Sequence, residues 1–309
     1  MFALNLNPCI DRTVVIPDLV PGGTNRVTHR KRLASGKAVN VAVALRRLGV
    51  VSSSLAGFFW KQGGDELVER LAREGVAHHG VWLEGALREN IKILSQATSQ
   101  VTELNEAGTP VTPEAMAALY ALAEELMAPG DTWALCGSLP PGAATDTYAR
   151  IIESARAVGC ACALDTSGEA LRQGLLASPD LVKPNRFELE TLCGRALPSL
   201  EAVLEAALGL CAGGVGAVLV SLGEEGAVIT NGVKVYRAPA AALEQVTSTV
   251  GAGDAMLAGA LYARCQGLDL RQQLLWGTAA AASAVALGEV SPEAAARYME
   301  AIHGEEVSF

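Results

Sequence analysis

The sequence predicts an α/β protein with three layers, in which helices cover both faces of a central, mostly parallel sheet. Apolar, strand-like runs alternate with segments of helical period along most of the 309 residues, which is the pattern of repeated βαβ units. Several of these runs are continuously apolar, as in strands that are buried on both faces. Two segments, 11–33 and 88–105, instead alternate apolar and polar residues and predict a small second sheet with one dry face.

The elements of the main layers can be placed in order along the chain. The strand candidates are 2–6, 53–58, 132–136, 160–164, 181–183 and 217–221, and the helix candidates include 39–48, 65–74, 113–127, 145–158 and 254–265. Thr112-Pro113 and Ser291-Pro292 each join a capping hydroxyl to a first-turn proline and predict two helix starts. Asn231-Gly232 between two apolar runs predicts a hairpin.

The uncharged stretch 272–288 is rich in alanine and is interrupted by Gly277, Thr278 and Ser283. It is too short to span a membrane, so it predicts a helix that is buried in the core.

We expect a single domain over 1–309, because α/β chains often use this length for one sheet and no linker or repeat divides the chain. The segments 11–33 and 88–105 would together form a small sheet that projects as a lid. Because such a sheet exposes one apolar face in a monomer, two copies should pair through it as a homodimer.

Composition and charge argue against several classes of protein. Half of the residues are hydrophobic and 18% are charged, which suits a folded core rather than a disordered chain. The formal net charge of −9 and the lack of a long Lys/Arg run argue against nucleic acid as a partner. The N-terminal residues do not resemble a signal peptide, and the seven cysteines contain no C-x-x-C pair. We therefore expect a cytoplasmic protein with reduced thiols and no membrane partner.

The strongest candidate for a catalytic segment is Gly251-Ala252-Gly253-Asp254, where a glycine-rich turn leads into an apolar helix. Bare amides at a helix N-terminus bind anions. Asp254 beside them could accept a hydroxyl proton while the amides hold charge on a transferred phosphoryl group. The alternative is that Asp254 only caps the helix. The spacing is neither a dinucleotide fingerprint, since Met256 stands where a glycine is needed, nor a Walker A motif.

Two further patterns carry both a structural and a functional interpretation. Asn185 followed three residues later by Glu188 has the spacing of a capping box. His78-His79 lack matched carboxylates or cysteines, so they indicate surface residues rather than a metal site.

Several segments resemble, in the same order along the chain, motifs of the ribokinase-like sugar kinases, also called the phosphofructokinase B family. Residues 251–254 resemble the G-A-G-D signature, Asn7-Pro8-Cys9-Ile10-Asp11 resembles N-P-A-x-D, and 35–42 resembles G-G-K-G-x-N-V-A. The segments 137–142, 165–168, 183–188 and 221–226 also recur in that family. Within it, 25–27, 88–92 and 102–105 resemble the branch that contains 1-phosphofructokinase and tagatose-6-phosphate kinase.

The resemblance implies a ribokinase-like fold and an ATP- and Mg²⁺-dependent kinase. It would phosphorylate a hydroxyl of a ketohexose monophosphate, with fructose 1-phosphate, giving fructose 1,6-bisphosphate, as the first choice. Tagatose 6-phosphate is the alternative within the branch, and another sugar or a nucleoside is a more distant one. A catalytically inactive sugar-phosphate sensor is the alternative from another class. Asp254 beside intact glycines argues against it, because a sensor needs no base.

The resemblance also implies roles for individual residues. Asp254 would be the general base, and Gly251, Ala252 and Gly253 would form its anion hole. The residues expected to bind the acceptor are Asp11, Gly36, Lys37, Asn40, Arg88 and Ser138. The residues expected to bind the nucleotide are Lys183, Asn185, Glu188, Ser221, Gly223, Gly226 and Ser283.

Some of these roles have a simpler alternative. Lys37 and Arg88 would hold the phosphate already present on the sugar, although without the resemblance both are ordinary surface charges. Glu188 would reach Mg²⁺ through water, with no direct protein ligand to the metal. The small residues 279–284 would either pack against adenine or allow close helix packing. Ser35 and Ala38 replace two family glycines, which leaves the identity of the sugar open.

Overall fold

The structure is a computed structural model that describes residues 1–98, 100–243, 245–247 and 249–307. In these ranges the strands are β1 (Phe2–Asn5), β2 (Cys9–Ile16), β3 (His29–Ser35), β4 (Ser54–Gln62), β5 (Ala77–Ala86), β6 (Arg88–Ser95), β7 (Val101–Asn105), β8 (Thr132–Cys136), β9 (Ala161–Asp165), β10 (Leu181–Val182), β11 (Val218–Ser221), β12 (Ala227–Thr230), β13 (Val235–Ala238) and β14 (Glu305–Glu306). The helices are α1 (Lys37–Arg47), α2 (Gly64–Arg73), α3 (Pro113–Leu126), α4 (Thr147–Val158), α5 (Gly168–Leu176), α6 (Arg186–Cys193), α7 (Leu200–Ala212), α8 (Ala252–Cys265), α9 (Leu270–Leu287) and α10 (Pro292–Ala301).

The larger sheet has ten strands in the order β14-β13-β12-β11-β10-β9-β8-β1-β4-β5. Its strands from β5 to β11 are parallel, and β11 to β14 pair in antiparallel fashion. β1 lies between β4 and β8, so later strands of the chain are added on both sides of it and the strand order reverses there. Such a switch point opens a crevice at the carboxyl ends of the strands, which is where open α/β sheets bind ligands.

Helices cover the sheet in two groups, which confirms the predicted three-layer α/β architecture. α8 packs on α1 and α9, and α9 packs on α10, β12 and β13. The helices α3 to α7 contact one another in chain order and pack on the sheet through α3, α4, α5 and α7. The predicted helix caps are present, because Thr112 accepts a hydrogen bond from the amide of Ala115 and Ser291 from the amide of Ala294.

The predicted buried helix is also present, because most residues of α9 are inaccessible to solvent. Within the described residues no single helix is long and apolar enough to cross a membrane. The one pair that passes this test together, α9 with α10, is bent by 112°.

The smaller sheet has four strands in the order β3-β2-β6-β7 and is built from the two segments that the alternating pattern singled out. β2 pairs with β3 in antiparallel and with β6 in parallel fashion, and β7 closes the sheet as an antiparallel edge. The register places Cys9 opposite Arg88 and Asp11 opposite Asn90. Because side chains alternate between faces along a strand, these four side chains share one face.

The sequence pattern missed β5, a ten-residue strand at the edge of the larger sheet. The strand contains His78 and His79 and is exposed at several positions, so it lacks the apolar run by which the other parallel strands were found. His78 is indeed exposed and His79 is partly so. The predicted hairpin is present as β12 and β13, joined by the loop 231–234.

Candidate active site

The residues expected to carry the chemistry gather at the carboxyl edge of the larger sheet. Asn7 follows β1, Asp165 ends β9, Lys183 follows β10 and Ser221 ends β11. A cavity of about 400 Å³ opens here beneath the smaller sheet. Its lining residues are Cys9, Asp11, Ser35, Gly36, Lys37, Asn40, Arg88, Asn90, Lys92, Glu103, Asn105, Asp165, Lys183, Asn185, Glu188, Ser221, Val250, Gly251, Gly253 and Asp254. The fold therefore brings segments from across the chain to one concave surface.

Asp254 lies in the first turn of α8 and is oriented across the cavity toward another helix. Gly251 is the N-cap of α8, with φ 81°, a conformation that favours glycine. The Asp254 carboxylate accepts a hydrogen bond of 2.8 Å from Asn40 Nδ2 on α1. The N-terminus of α8 and the carboxylate thus face the same space, the Ala252 amide donates to the Thr249 carbonyl oxygen at 3.3 Å, and the N-cap position is taken by Gly251.

Burial raises the pKa of Asp254 to about 6, and the nearby Asp165 carboxylate adds to the rise. The hydrogen bond from Asn40 and the ammonium groups of Lys37 and Lys183 oppose it. A carboxylate with this pKa is ionised at neutral pH and still basic enough to take a proton from a hydroxyl group, as a general base requires.

Asp165 lies between two lysines at the base of the cavity. Its Oδ1 is 2.8 Å from Lys37 Nζ and its Oδ2 is 3.2 Å from Lys183 Nζ. Asp165 and Lys183 are 1% and 4% exposed, whereas the Lys37 side chain is 38% exposed and faces the open part of the cavity. Burial would raise the pKa of Asp165, but the two ammonium groups outweigh it and hold the pKa below its usual range. Two cations are thereby fixed beside Asp254 with a single carboxylate between them.

The smaller sheet supplies a polar face to the cavity. Asp11 Oδ1 accepts a hydrogen bond of 3.4 Å from Asn90 Nδ2, and Asp11 Oδ2 lies 3.5 Å from Lys92 Nζ. Lys92 and Asn90 were not among the residues expected at the site. The two-residue period of β6 could have identified them, because positions 88, 90 and 92 share one face of the strand.

Arg88 lies where the smaller sheet joins the rest of the molecule. Its guanidinium donates to the carbonyl oxygens of Asn7 (3.2 Å) and Glu106 (2.9 Å) and to Asn90 Oδ1 (3.1 Å). Lys37 and Arg88 therefore both line the cavity, but each already has partners within the protein. Their joint contact with one sugar phosphate stays a prediction. Ser138, also expected to bind the acceptor, lies beside this junction, where its hydroxyl accepts from Asn7 Nδ2 (3.2 Å).

On the nucleotide side, Asn185 and Glu188 form a reciprocal capping box at the start of α6. The Asn185 amide donates to Glu188 Oε2 (2.9 Å), and the Glu188 amide donates to Asn185 Oδ1 (2.8 Å). Both side chains also line the cavity, so the structural role leaves room for the functional one. Gly223 begins a single 3₁₀ turn after β11 and Gly226 follows it, where a Cβ would meet the Ala238 carbonyl oxygen at 2.0 Å.

Ser283 is placed differently from the other residues expected to bind the nucleotide. Its side chain is fully buried in α9, and its hydroxyl donates to the Glu289 carbonyl oxygen at 2.8 Å. A role in binding the nucleotide stays a prediction for this residue, as it does for the neighbouring wall 279–284.

Comparisons with known proteins identify the family of this chain. Residues 4–294 match the family described as pfkB family carbohydrate kinase. The chain is 42% identical over 290 residues to a 1-phosphofructokinase of Rhodobacter capsulatus, which covers 94% of this chain and 90% of the relative. It is 35% identical over 288 residues to a 1-phosphofructokinase of Escherichia coli K12, with coverages of 93% and 91%.

Solved structures give the same result for the fold. The structure of phosphofructokinase-2 from Escherichia coli in complex with fructose-6-phosphate matches with a TM-score of 0.89 and 27% identity, over 97% of this chain and 98% of that one. A possible 1-phosphofructokinase from Thermotoga maritima matches in fold with a TM-score of 0.89 at 24% identity, over 99% of both chains. With the motifs, the sheet topology and these relatives in agreement, the chain belongs to the pfkB family of carbohydrate kinases.

Proposed function

We propose that this protein transfers the γ-phosphoryl group of ATP to a free hydroxyl of a ketohexose monophosphate, with fructose 1-phosphate as the acceptor. The observation that carries the proposal is the buried Asp254 carboxylate in the first turn of α8, in a cavity whose other walls carry Lys37, Arg88 and Lys92. The relatives named 1-phosphofructokinase, at up to 42% identity in the comparisons given above, support the choice of sugar.

Each residue at the site would have a separate role in the reaction. Asp254 would accept the proton of the attacking hydroxyl, and Asn40 would keep the carboxylate oriented through its 2.8 Å hydrogen bond. The amides of residues 251–253 would hold negative charge that develops on the transferred group. Lys183, held by Asp165, would add positive charge at the same place, and Lys37 would hold the phosphate already present on the sugar. Phosphoryl transfer depends mainly on positioning and neutralisation of charge, so these groups are sufficient for the protein's part.

Mg²⁺ fits this site as a partner of the nucleotide. Among the residues that the structure describes, no group of three or more His, Cys, Asp or Glu side chains could hold a metal ion. Glu188 faces the cavity, and one of its carboxylate oxygens accepts from the Asn185 amide. Mg²⁺ prefers to keep several waters and to bind through substrate phosphates and few carboxylates. Mg²⁺ bound in this way would neutralise charge on the phosphates, and Glu188 would contact the ion through a water molecule.

Fructose 6-phosphate is the second candidate acceptor. It is favoured by the match to phosphofructokinase-2 of Escherichia coli, whose structure was solved with that sugar phosphate. The two acceptors differ in which hydroxyl must reach Asp254, whereas both present a phosphate to the cationic walls of the cavity.

A coupled assay of ADP release over four acceptors tests the proposal. The panel is fructose 1-phosphate, fructose 6-phosphate, tagatose 6-phosphate and plain fructose. We expect the highest kcat/KM with fructose 1-phosphate and a value for fructose that is lower by at least about 100-fold, because an acceptor without phosphate loses its charged contacts. Equal activity with plain fructose would refute the assignment of a phosphorylated acceptor. No ADP release with any member would instead favour the non-catalytic sensor.

We further infer that the smaller sheet acts as a lid and pairs two subunits. β7 is an edge strand whose residues are all exposed, and Val101 and Leu104 on it are each 54% exposed. An exposed strand edge with apolar side chains is a template for pairing with another chain. Val101 shares the cavity face of β7 with Glu103, and Leu104 lies on the opposite face, so pairing along the edge of β7 would shield both side chains.

A further inference from the structure

Arg70 connects three elements that meet behind the acceptor cavity. It lies near the end of α2, and its guanidinium reaches toward β3 and α1. Nη1 donates to the Ala34 carbonyl oxygen at 2.6 Å, and Nη2 donates to Asn40 Oδ1 at 3.2 Å. Arg70 also lines a second cavity of about 250 Å³, which shares Asn40 and Asp11 with the first. None of the sequence motifs identified this residue.

The contact matters because an asparagine amide can face a carboxylate in two ways. Its NH₂ group donates to a carboxylate, whereas its oxygen would repel it, since both are acceptors. At Asn40 the oxygen is engaged by Arg70 and lies 3.4 Å from the Ser35 hydroxyl, so the NH₂ group is the one that faces Asp254. The orientation of the amide therefore depends on a strong donor on its far side.

Arg70 is suited to this task because its bonds are to neutral oxygens. The acid that acts most strongly on Arg70, Glu74 at the C-cap of α2, is bound by Arg47 of α1, with Nη2 to Oε1 at 2.7 Å. Burial lowers the pKa of Arg70 from its usual value, but a guanidinium remains charged in proteins. Its charge is thus available to hold an amide oxygen rather than committed to a carboxylate.

We propose that Arg70 is a positioning residue for the phosphoryl transfer, which acts by holding the Asn40 amide with its NH₂ group toward the Asp254 carboxylate. The proposal rests on the proposed function of Asp254 as the base. Without Arg70 the amide is free to turn, and the carboxylate loses a charge-assisted hydrogen bond that favours its ionised form.

Besides the hydrogen bond from the neutral Asn40 amide, several charged groups set the protonation of Asp254. Lys37 on α1 and Lys183 after β10 favour the carboxylate, and Asp165 of β9 disfavours it. On the Arg70 side, Arg73 belongs to α2, Glu74 caps its C-terminus, Arg47 belongs to α1 and Asp11 to β2. All of these groups remain when Arg70 alone is replaced, so a change in the pH profile can be assigned to Arg70, and Arg70→Lys, which keeps the charge but not the guanidinium, separates its charge from its hydrogen bond to Asn40.

The test is the pH dependence of kcat/KM for Arg70→Met, measured from pH 5 to 9 with fructose 1-phosphate. Loss of one charge-assisted hydrogen bond should move the fall in activity at low pH upward by about one pH unit. The loss relative to the unchanged protein should therefore be about fivefold near pH 6 and below about twofold at pH 8.5. Arg70→Lys keeps a cationic donor at this position and should lie between the two profiles.

Arg73→Met is the matched control, because Arg73 lies one turn away on α2, is exposed and donates to the Glu69 carbonyl oxygen. Its pH profile should equal that of the unchanged protein. The measurement of KM separates the proposal from a direct contact of Arg70 with the sugar phosphate. A raised KM with an unshifted profile would assign Arg70 to acceptor binding and overturn the positioning role. If the pH profile and KM both stay unchanged, Arg70 has only a structural role in packing, and the positioning role is wrong.

The proposed function can fail separately. If the unchanged protein shows no fall in kcat/KM near pH 6, the role of Asp254 as the base is wrong. If that fall is present and occurs at the same pH in Arg70→Met, only the positioning role is wrong. Binding of ATP and the thermal midpoint report whether Arg70→Met is folded, and if it is not, the Arg70→Lys profile decides by the same criterion.

Discussion

Asp254 is a buried carboxylate whose proposed role as a base comes at the expense of folding stability. Its pKa of about 6 lies above the usual 3.8, so the folded protein binds this proton more tightly than the unfolded chain does. Stability from this group is therefore greatest at low pH and declines as pH rises from about 4 to 6. Above that window the ionised group destabilises the folded state by about 3 kcal/mol.

Asp254→Asn should accordingly make the protein more stable at pH 8, by about 1 to 3 kcal/mol, because the amide stays neutral and can still accept from Asn40. The gain should shrink as the pH approaches 4, where the native carboxyl is protonated as well. Urea unfolding at pH 8 and pH 4.5 measures both values. Equal changes at the two pH values would show that the effect is not electrostatic.

Lys37 and Arg88 should decide between phosphorylated and plain sugars. A hydrogen bond to a charged group contributes about 1.5 to 3 kcal/mol, so Lys37→Met and Arg88→Met should each lower kcat/KM for a sugar phosphate by roughly 10- to 150-fold. Activity on plain fructose should change little. The structure adds Lys92→Met to this series, because Lys92 lines the same cavity. Equal losses on both kinds of sugar would make the charges structural.

At the scale of elements, the sequence predicted strands and helices where a hydrophobic period or a cap marks the whole element. It failed for a strand that has no apolar run. The apolar runs of β8 and β9 and the caps of α3 and α10 were found because hydrophobic period and capping are local signals. β5 was missed because an edge strand can be polar and partly exposed. The alternation in 88–105 predicted strands, but the face that meets the cavity depends on the pairing of β2 with β6.

The central strands β1 and β4 depend on Gly57. It has φ 143°, and a Cβ there would lie 1.9 Å from the Asn5 carbonyl oxygen of β1. Gly57→Ala should therefore destabilise the protein by at least about 3 kcal/mol, through strain and displacement of β1. Gly49→Ala is the matched control, since Gly49 has φ 102° with nothing within 4 Å of its Cβ position, and it should cost about 1 kcal/mol. Similar costs in chemical denaturation would contradict the proposed clash.

At the scale of the whole molecule, the site is an assembly of distant segments. Asn40, Asp165 and Asp254 belong to separate elements, and their contacts appear only when the parallel strands bring their carboxyl ends to one edge. The motifs predicted which residue types take part. The network in which Lys37 and Lys183 share Asp165, and Arg70 holds Asn40, consists of long-range contacts that no local period encodes.

Assembly through the smaller sheet is a prediction of the same scale. Light scattering at micromolar concentration should show a dimer, and the double substitution Val101→Lys with Leu104→Glu should shift it toward the monomer, because it places charges on the exposed strand β7. Val233→Glu is the control, since Val233 is 87% exposed in the loop between β12 and β13 and should leave the dimer intact. A monomer for the unchanged protein would contradict pairing at the lid.

The most direct test of the account is the turnover of Asp254→Asn beside its affinity for ATP. If Asp254 is the general base, kcat with fructose 1-phosphate should fall by roughly 10²- to 10⁴-fold, while the Kd for ATP changes by less than about threefold. Stopped-assay turnover and calorimetric titration of ATP give the two numbers. A variant that keeps most of its turnover would show that Asp254 is a structural residue of α8, and that another group takes the proton.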